Sequence, residues 1–92
     1  MDYSLVESCT SSKTYEIIVK NKRLKLEKVA EALSEVAEEL AKTPRFALYK
    51  FKGRSISFFE SGKIIIKEVE KKEAEEIAEK LLSILEKGGA FI

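Results

Sequence analysis

The chain reads as a single α+β domain, a curved antiparallel sheet with two helices on one face in the order β-α-β-β-β-α. Three observations predict this. First, Arg45–Val69 holds three runs of β-branched and aromatic residues, Phe46–Phe51, Ser55–Glu60 and Lys63–Val69. Turns at Lys52-Gly53-Arg54 and Ser61-Gly62 separate them, and glycine stands where a hairpin needs a positive φ, so the segment reads as a three-stranded meander. Second, Leu26–Ala41 and Glu73–Glu86 repeat apolar residues at three- and four-residue steps with Glu and Lys opposite, as amphipathic helices do. Third, each helix has one stripe and needs one cover, which an antiparallel sheet with both helices on the same side supplies.

Residues 1–12 show no sustained period, and the Cys-Thr-Ser-Ser cluster reads as loop. This stretch is expected to be a flexible arm, with the domain proper over residues 13–92. In Thr14–Lys20, the first expected strand, Tyr15, Ile17 and Val19 share one face and Glu16, Ile18 and Lys20 the other. A polar turn over Asn21–Arg23 leads into the first helix, whose stripe is Leu26, Val29, Ala30, Leu33, Val36, Ala37 and Leu40. Thr43-Pro44 stops it, because proline disfavours helix in the residue before it. The meander follows. The second helix buries Ala74, Ile77, Ala78, Leu81, Leu82 and Leu85 and ends at Gly88-Gly89. Ala90-Phe91-Ile92 is an apolar tail that docks or frays.

Strand alternation assigns the faces. The purer apolar set is Ile17, Val19, Ala47, Tyr49, Phe51, Ile56, Phe58, Ile64 and Ile66, and it is expected under the helices. The other set is Ile18, Phe46, Leu48, Phe59 and Ile65, interleaved with Lys20, Lys50, Lys63 and Lys67. A helix-free face of that kind marks an interaction site. Charge is segregated along the chain in the same sense. Arg45–Lys67 carries six Lys or Arg against one Glu, whereas the two helical stretches are net acidic. A basic sheet under acidic helices points to an anionic partner. Lysines beside strands also serve as a defence against edge aggregation, and the free face could equally close a homodimer or meet another protein.

Ninety-two residues make one two-layer domain and not two. The abundance of Lys, Glu and Ile leans towards a heat-adapted, archaeal source. No apolar run is long enough to span a membrane and no secretory segment opens the chain, so the expectation is a cytoplasmic protein without membrane contact. Cys9 is the one cysteine and histidine is absent, which removes a disulfide framework, a Cys-rich metal site and the commonest general base. Ser55, Ser57 and Ser61 have no base beside them; Glu60 and Lys63 read as a turn ion pair. No phosphate-binding glycine loop precedes a helix. The chain is therefore expected to be no enzyme and to use neither metal, cofactor nor small-molecule substrate.

At Pro44–Ala47 (PRFA), Ile56–Phe59 (ISFF) and Ser61–Lys63 (SGK), with the aliphatic strand and amphipathic helix that follow, the chain resembles one repeat of the TATA-box-binding protein fold. The resemblance covers Tyr15 to Gly89. That family joins two such repeats into a saddle that binds and bends DNA at the minor groove with phenylalanine wedges. The resemblance implies wedge positions at Phe46 and Phe59, a groove contact at Ile65 and a phosphate-side lysine at Lys63. With Leu48, Lys50 and Lys67 these make up the candidate face for DNA, RNA or a protein partner. The chain departs from the family in having one repeat, a shorter first hairpin, Lys67 in place of a small polar residue, and Glu16, Ile18 and Lys20 on the strand that carries an asparagine-valine-threonine face there. Single repeats of this fold resemble accessory domains such as the N-terminal domain of some bacterial ribonucleases H. The element order, less one strand, is also similar to the small dimeric subunit of the KEOPS tRNA-modification complex. Those resemblances imply a homodimer or an accessory subunit.

Overall fold

The strands assemble because their apolar alternation is in phase when they lie side by side. The structure, a computed structural model, describes residues 3–7 and 13–91; Cys9 lies outside the described residues. It contains β1 (Tyr3–Glu7), β2 (Tyr15–Val19), α1 (Leu26–Leu33), β3 (Glu38–Lys42), β4 (Phe46–Phe51), β5 (Arg54–Phe59), β6 (Lys63–Ile66) and α2 (Lys71–Lys87). One six-stranded sheet runs β1-β2-β6-β5-β4-β3, and each neighbouring pair is antiparallel. The molecule is α+β. The meander is as expected, and β2 crosses over to lie beside β6, the last strand, as a helical connection permits.

The register explains the core. Ile17 lies opposite Ile64, Ile64 opposite Phe58 and Phe58 opposite Ala47, while Tyr15, Ile66, Ile56 and Tyr49 form the next row. All of these are buried, and they join Leu26, Val29 and Leu33 of α1 and the full expected stripe of α2 in one cluster; among the described residues no charged or polar side chain is buried. Both helices thus cover the same face. Tyr49 and Phe58 meet edge-on with ring centroids 5.7 Å apart, a favoured aromatic geometry. The tail docks. The Lys25 amide donates to the Ala90 carbonyl at 2.8 Å, Phe91 forms a bridge with Leu24, and Ala90 is buried.

Three elements differ from the sequence reading. The first helix ends at Leu33, not Ala41, and residues 38–42 form the edge strand β3. Val36 and Leu40, expected in the helical stripe, are 50% and 47% exposed. The physical reason lies in the turn. The Thr43 hydroxyl accepts from the Phe46 amide at 3.1 Å and from the Arg45 amide at 3.3 Å, and the Thr43 amide donates to the Phe46 carbonyl at 2.8 Å. That folds the chain tightly back, so Glu38–Lys42 satisfies its backbone on the open edge of β4. Pairing there outweighs the high helix propensity of Glu-Glu-Leu-Ala-Lys. At the other edge, Tyr3–Glu7, expected as part of a loose arm, is the strand β1, with Tyr3 and Leu5 packed against the core. Finally, β6 stops at Ile66 rather than Val69, because Glu68 takes φ 59° and turns the chain towards α2.

The turns agree with their residues. Lys52 and Gly53 both have positive φ, 53° and 79°, which makes β4–β5 a two-residue hairpin of type I′. Arg54 already belongs to β5. Gly62 has φ +98°, and a Cβ there would stand 2.3 Å from the Lys22 carbonyl oxygen, so only glycine fits between this turn and the segment leaving β2.

Candidate binding face of the sheet

The face turned away from the helices is built from alternate residues of the strands, with the step broken in β3 by the register shift between Glu39 and Ala41. Phe46 and Phe59 are direct partners across β4 and β5, with ring centroids 5.9 Å apart and planes tilted by 30°. Beside them a row crosses the whole sheet: Val6, Glu16, Ile65, Ser57, Leu48 and Ala41. Ile18 lies opposite Lys63 on one side and Ser4 on the other. Ile18 is 42% exposed and Val6 44% exposed, while Phe46, Leu48, Phe59, Lys63 and Ile65 are half-buried and Lys50 is exposed. The expected residues Phe46, Leu48, Lys50, Phe59, Lys63 and Ile65 therefore lie on one surface. Lys67 follows directly after β6 and is exposed, and its amide donates to the Ser55 carbonyl at 3.2 Å.

The electrostatics of this surface are more balanced than the sequence suggests. Lys63 pairs with Glu16 across the β2–β6 boundary at 3.2 Å, so it is not a free cation. Arg54, one of the six basic residues of the meander, points to the opposite side and bonds Glu73 of α2 at 2.8 Å. Lys52 sits in the hairpin turn beside Lys80 of α2. That contact, reinforced by burial and repulsion, lowers its pKa against a small opposing pull from Glu76. Meanwhile β3 brings Glu38 opposite Lys50. The expectation of a uniformly basic sheet is corrected on these grounds. The helix-free face is apolar in its middle, with the exposed Lys50 on β4, the exposed Lys20 and Lys67 directly after β2 and β6, and Glu16 and Glu38 within its rows. Ser4, Val6 and Glu38, which the sequence reading did not place on this face, come from the edge strands. The Ser-Leu-Val alternation of Ser4–Val6 carried a signal, too short to register alone.

Polar groups facing the helix side serve the fold. The Tyr15 hydroxyl donates to Glu7 at 3.2 Å and the Tyr49 hydroxyl to Glu39 at 3.1 Å, so each edge strand is tied to its neighbour by a Tyr–Glu hydrogen bond. Burial, then the bond to the carboxylate, pushes the Tyr49 phenol up to about 12; burial and Glu7 raise Tyr15 in the same direction. A groove of about 640 Å³ lies where α1 begins, lined by Leu24, Leu26 and Pro44 with Lys25, Lys42, Glu27, Glu60 and Thr43. Its hydroxyl, Thr43, is engaged in the β3–β4 turn. Among the described residues no group of three or more His, Cys, Asp or Glu is placed to hold a metal ion, and no helix is long and apolar enough to cross a membrane.

Comparison with known proteins adds no relative: no family model, no curated protein and no solved structure matches the chain.

Proposed function

We propose that the chain is a binding module without catalytic chemistry of its own, working through the helix-free face of its sheet as a homodimer or as an accessory subunit of a larger assembly. One observation carries this reading. Phe46, Phe59, Leu48, Ile65 and Ile18 share the face that neither helix covers, with Ser57 and Lys63 set among them, in a protein where 36% of residues are charged. Uncovered apolar surface of this kind is held in place for a partner. The paired state of Lys63 favours an apolar protein surface as that partner. Nucleic acid is the second reading, favoured by the exposed Lys50 and Lys67 at the margin of the strip and by the resemblance to a TATA-box-binding protein repeat, with which an antiparallel sheet carrying two helices is compatible.

Salt separates the two. Each lysine–phosphate contact releases counterions, so binding to duplex DNA or RNA falls steeply with salt, and Lys50→Ala with Lys67→Ala flattens that slope by about one unit per contact. A protein complex loses affinity on Phe59→Ala and responds little to salt. Titration against duplex DNA, single strands and tRNA, beside capture of a protein complex by wild type and Phe59→Ala, is the deciding experiment. Unchanged binding of every partner by Phe59→Ala would remove the face from consideration.

A further inference from the structure

The two edges of the sheet are unequally protected. In β3 the outer edge carries Glu38, Glu39 and Lys42 and is broken by a register shift between Glu39 and Ala41. Charges and bulges of this sort keep other strands away. In β1, Tyr3–Glu7, there is neither lysine, arginine, proline nor glycine, and its ladder to β2 runs without a shift over all five residues. Its outer backbone groups find no strand among the described residues, because β1 is the end of the sheet. Such a row of amides and carbonyls accepts one kind of occupant, another β-strand.

We propose that β1 is a homodimerisation strand, pairing antiparallel with β1 of a second copy about a two-fold axis at Leu5 to make one continuous twelve-stranded sheet. The residues argue for a second copy. In that register Tyr3 lies opposite Glu7 of the second copy on the helix side. Within the molecule, both glutamates that lie directly opposite a tyrosine accept its hydroxyl: Glu7 from Tyr15 and Glu39 from Tyr49. The dimer repeats that pair twice more. On the other face Ser4 lies opposite Val6 of the second copy, so the two Val6 side chains, 44% exposed in the single chain, stand diagonally across the junction, with Ile18 one strand further in on either side. A two-fold axis normal to the sheet keeps the helices of both copies on one side and joins the two helix-free faces. The inference stands apart from the reading of the strip around Phe46 and Phe59, since the contact uses backbone groups of β1.

The experiment is sedimentation equilibrium from about 5 to 500 µM, with amide hydrogen exchange of the full chain at both ends of that range. The expected result is a mass that rises from monomer to dimer, with the outward-pointing amides of Tyr3–Glu7, those not bonded to β2, protected only in the dimer. Val6→Lys places a charge on the open edge and weakens the dimer at least roughly tenfold, whereas Leu40→Lys, the matching change at the β3 edge, leaves it unchanged. Tyr3→Phe, which removes one hydroxyl from each copy and no packing, takes away both bonds and weakens it about five- to a hundredfold. A monomer throughout the range, a dimer whose β1 amides exchange as fast as the monomer's, or a dimer dissolved by Phe59→Ala and not by Val6→Lys overturns the proposal. The last outcome leaves the helix-free face standing as the interface.

Discussion

Phe58 and Phe59 are neighbours in one strand and inhabit different media. Phe58 is fully buried among Ile64, Ala47 and Tyr49, whereas Phe59 stands half-exposed against Phe46. The same contrast runs along every strand of the meander. On the helix side the side chains are apolar apart from tyrosine hydroxyls tied to edge carboxylates, and charge stays at the rim. On the other side aromatic and aliphatic groups sit beside an ion pair and free lysines. What separates the faces is the use of their apolar groups. The first set is consumed by the fold, and the second contributes little to it, which is why the second is available for binding.

Substitution of the two phenylalanines tests this most sharply. Phe58→Ala should cost about 3–5 kcal/mol, as expected for a large buried ring. Phe59→Ala should cost about 1 kcal/mol, the worth of an exposed aromatic pair. Urea unfolding of both variants measures the gap, and equal losses would mean that the free face is part of the core. A second comparison contrasts residues that the helical period treats alike. Leu81→Ala should cost about 2–5 kcal/mol, whereas Val36→Ala, half-exposed beyond the end of α1, should change stability by about 0.5 kcal/mol or less.

The alkaline limb of stability probes the tie at the β3 edge. Tyr49 has its folded pKa raised from 10.0 to about 12, so the fold favours the neutral phenol. That contribution is fully present below pH 10 and is lost as pH rises through 12. Unfolding midpoints at intervals between those values should fall more steeply for wild type than for Tyr49→Phe, and parallel curves would show that the hydroxyl carries no such linkage. In the hairpin turn, Lys52→Asn should add about 0.5–1 kcal/mol, because asparagine tolerates the left-handed conformation better than lysine and the contact with Lys80 disappears. The smallest effect belongs to Lys63 and Glu16. A double-mutant cycle should return about 0.2–1 kcal/mol of coupling for this partly exposed pair; a value near zero would restore Lys63 as a cation free to meet phosphate.

Much of this was legible in the sequence, for a reason that also explains the errors. The period-2 pattern of Phe46–Phe51, Ser55–Glu60 and Lys63–Ile66 fixes which residues share a face whatever their partners, so the core and the helix-free strip could be assigned from alternation. The α2 stripe was equally plain. Residues 38–42 were not, since Leu33, Val36, Ala37 and Leu40 continue a helical period and glutamate, leucine, alanine and lysine favour helix. Their strand state depends on the open edge of β4 and on the Thr43 hydroxyl, neither of which a local window contains. The partners of the basic residues were hidden for the same reason. Glu16 reaches Lys63 and Glu73 reaches Arg54 only after distant segments have met, so a count of charges along the chain overstated the basic character of the face.

The docking of the tail sets the order in which the domain can be completed. Ala90 and Phe91 close on Lys25 and Leu24, and α2 supplies Ala74, Ile77, Ala78, Leu81, Leu82 and Leu85 to the cover of the sheet. Without residues 71–91, the apolar face of β2 and the meander has only Leu26, Val29 and Leu33 of α1 over it. Closure waits for the last helix to emerge, and the central β2–β6 ladder joins segments far apart in the chain. Non-local pairing of this kind slows folding. Without α2 both faces of the sheet present apolar groups, and its packing closes one of them and leaves the other to bind.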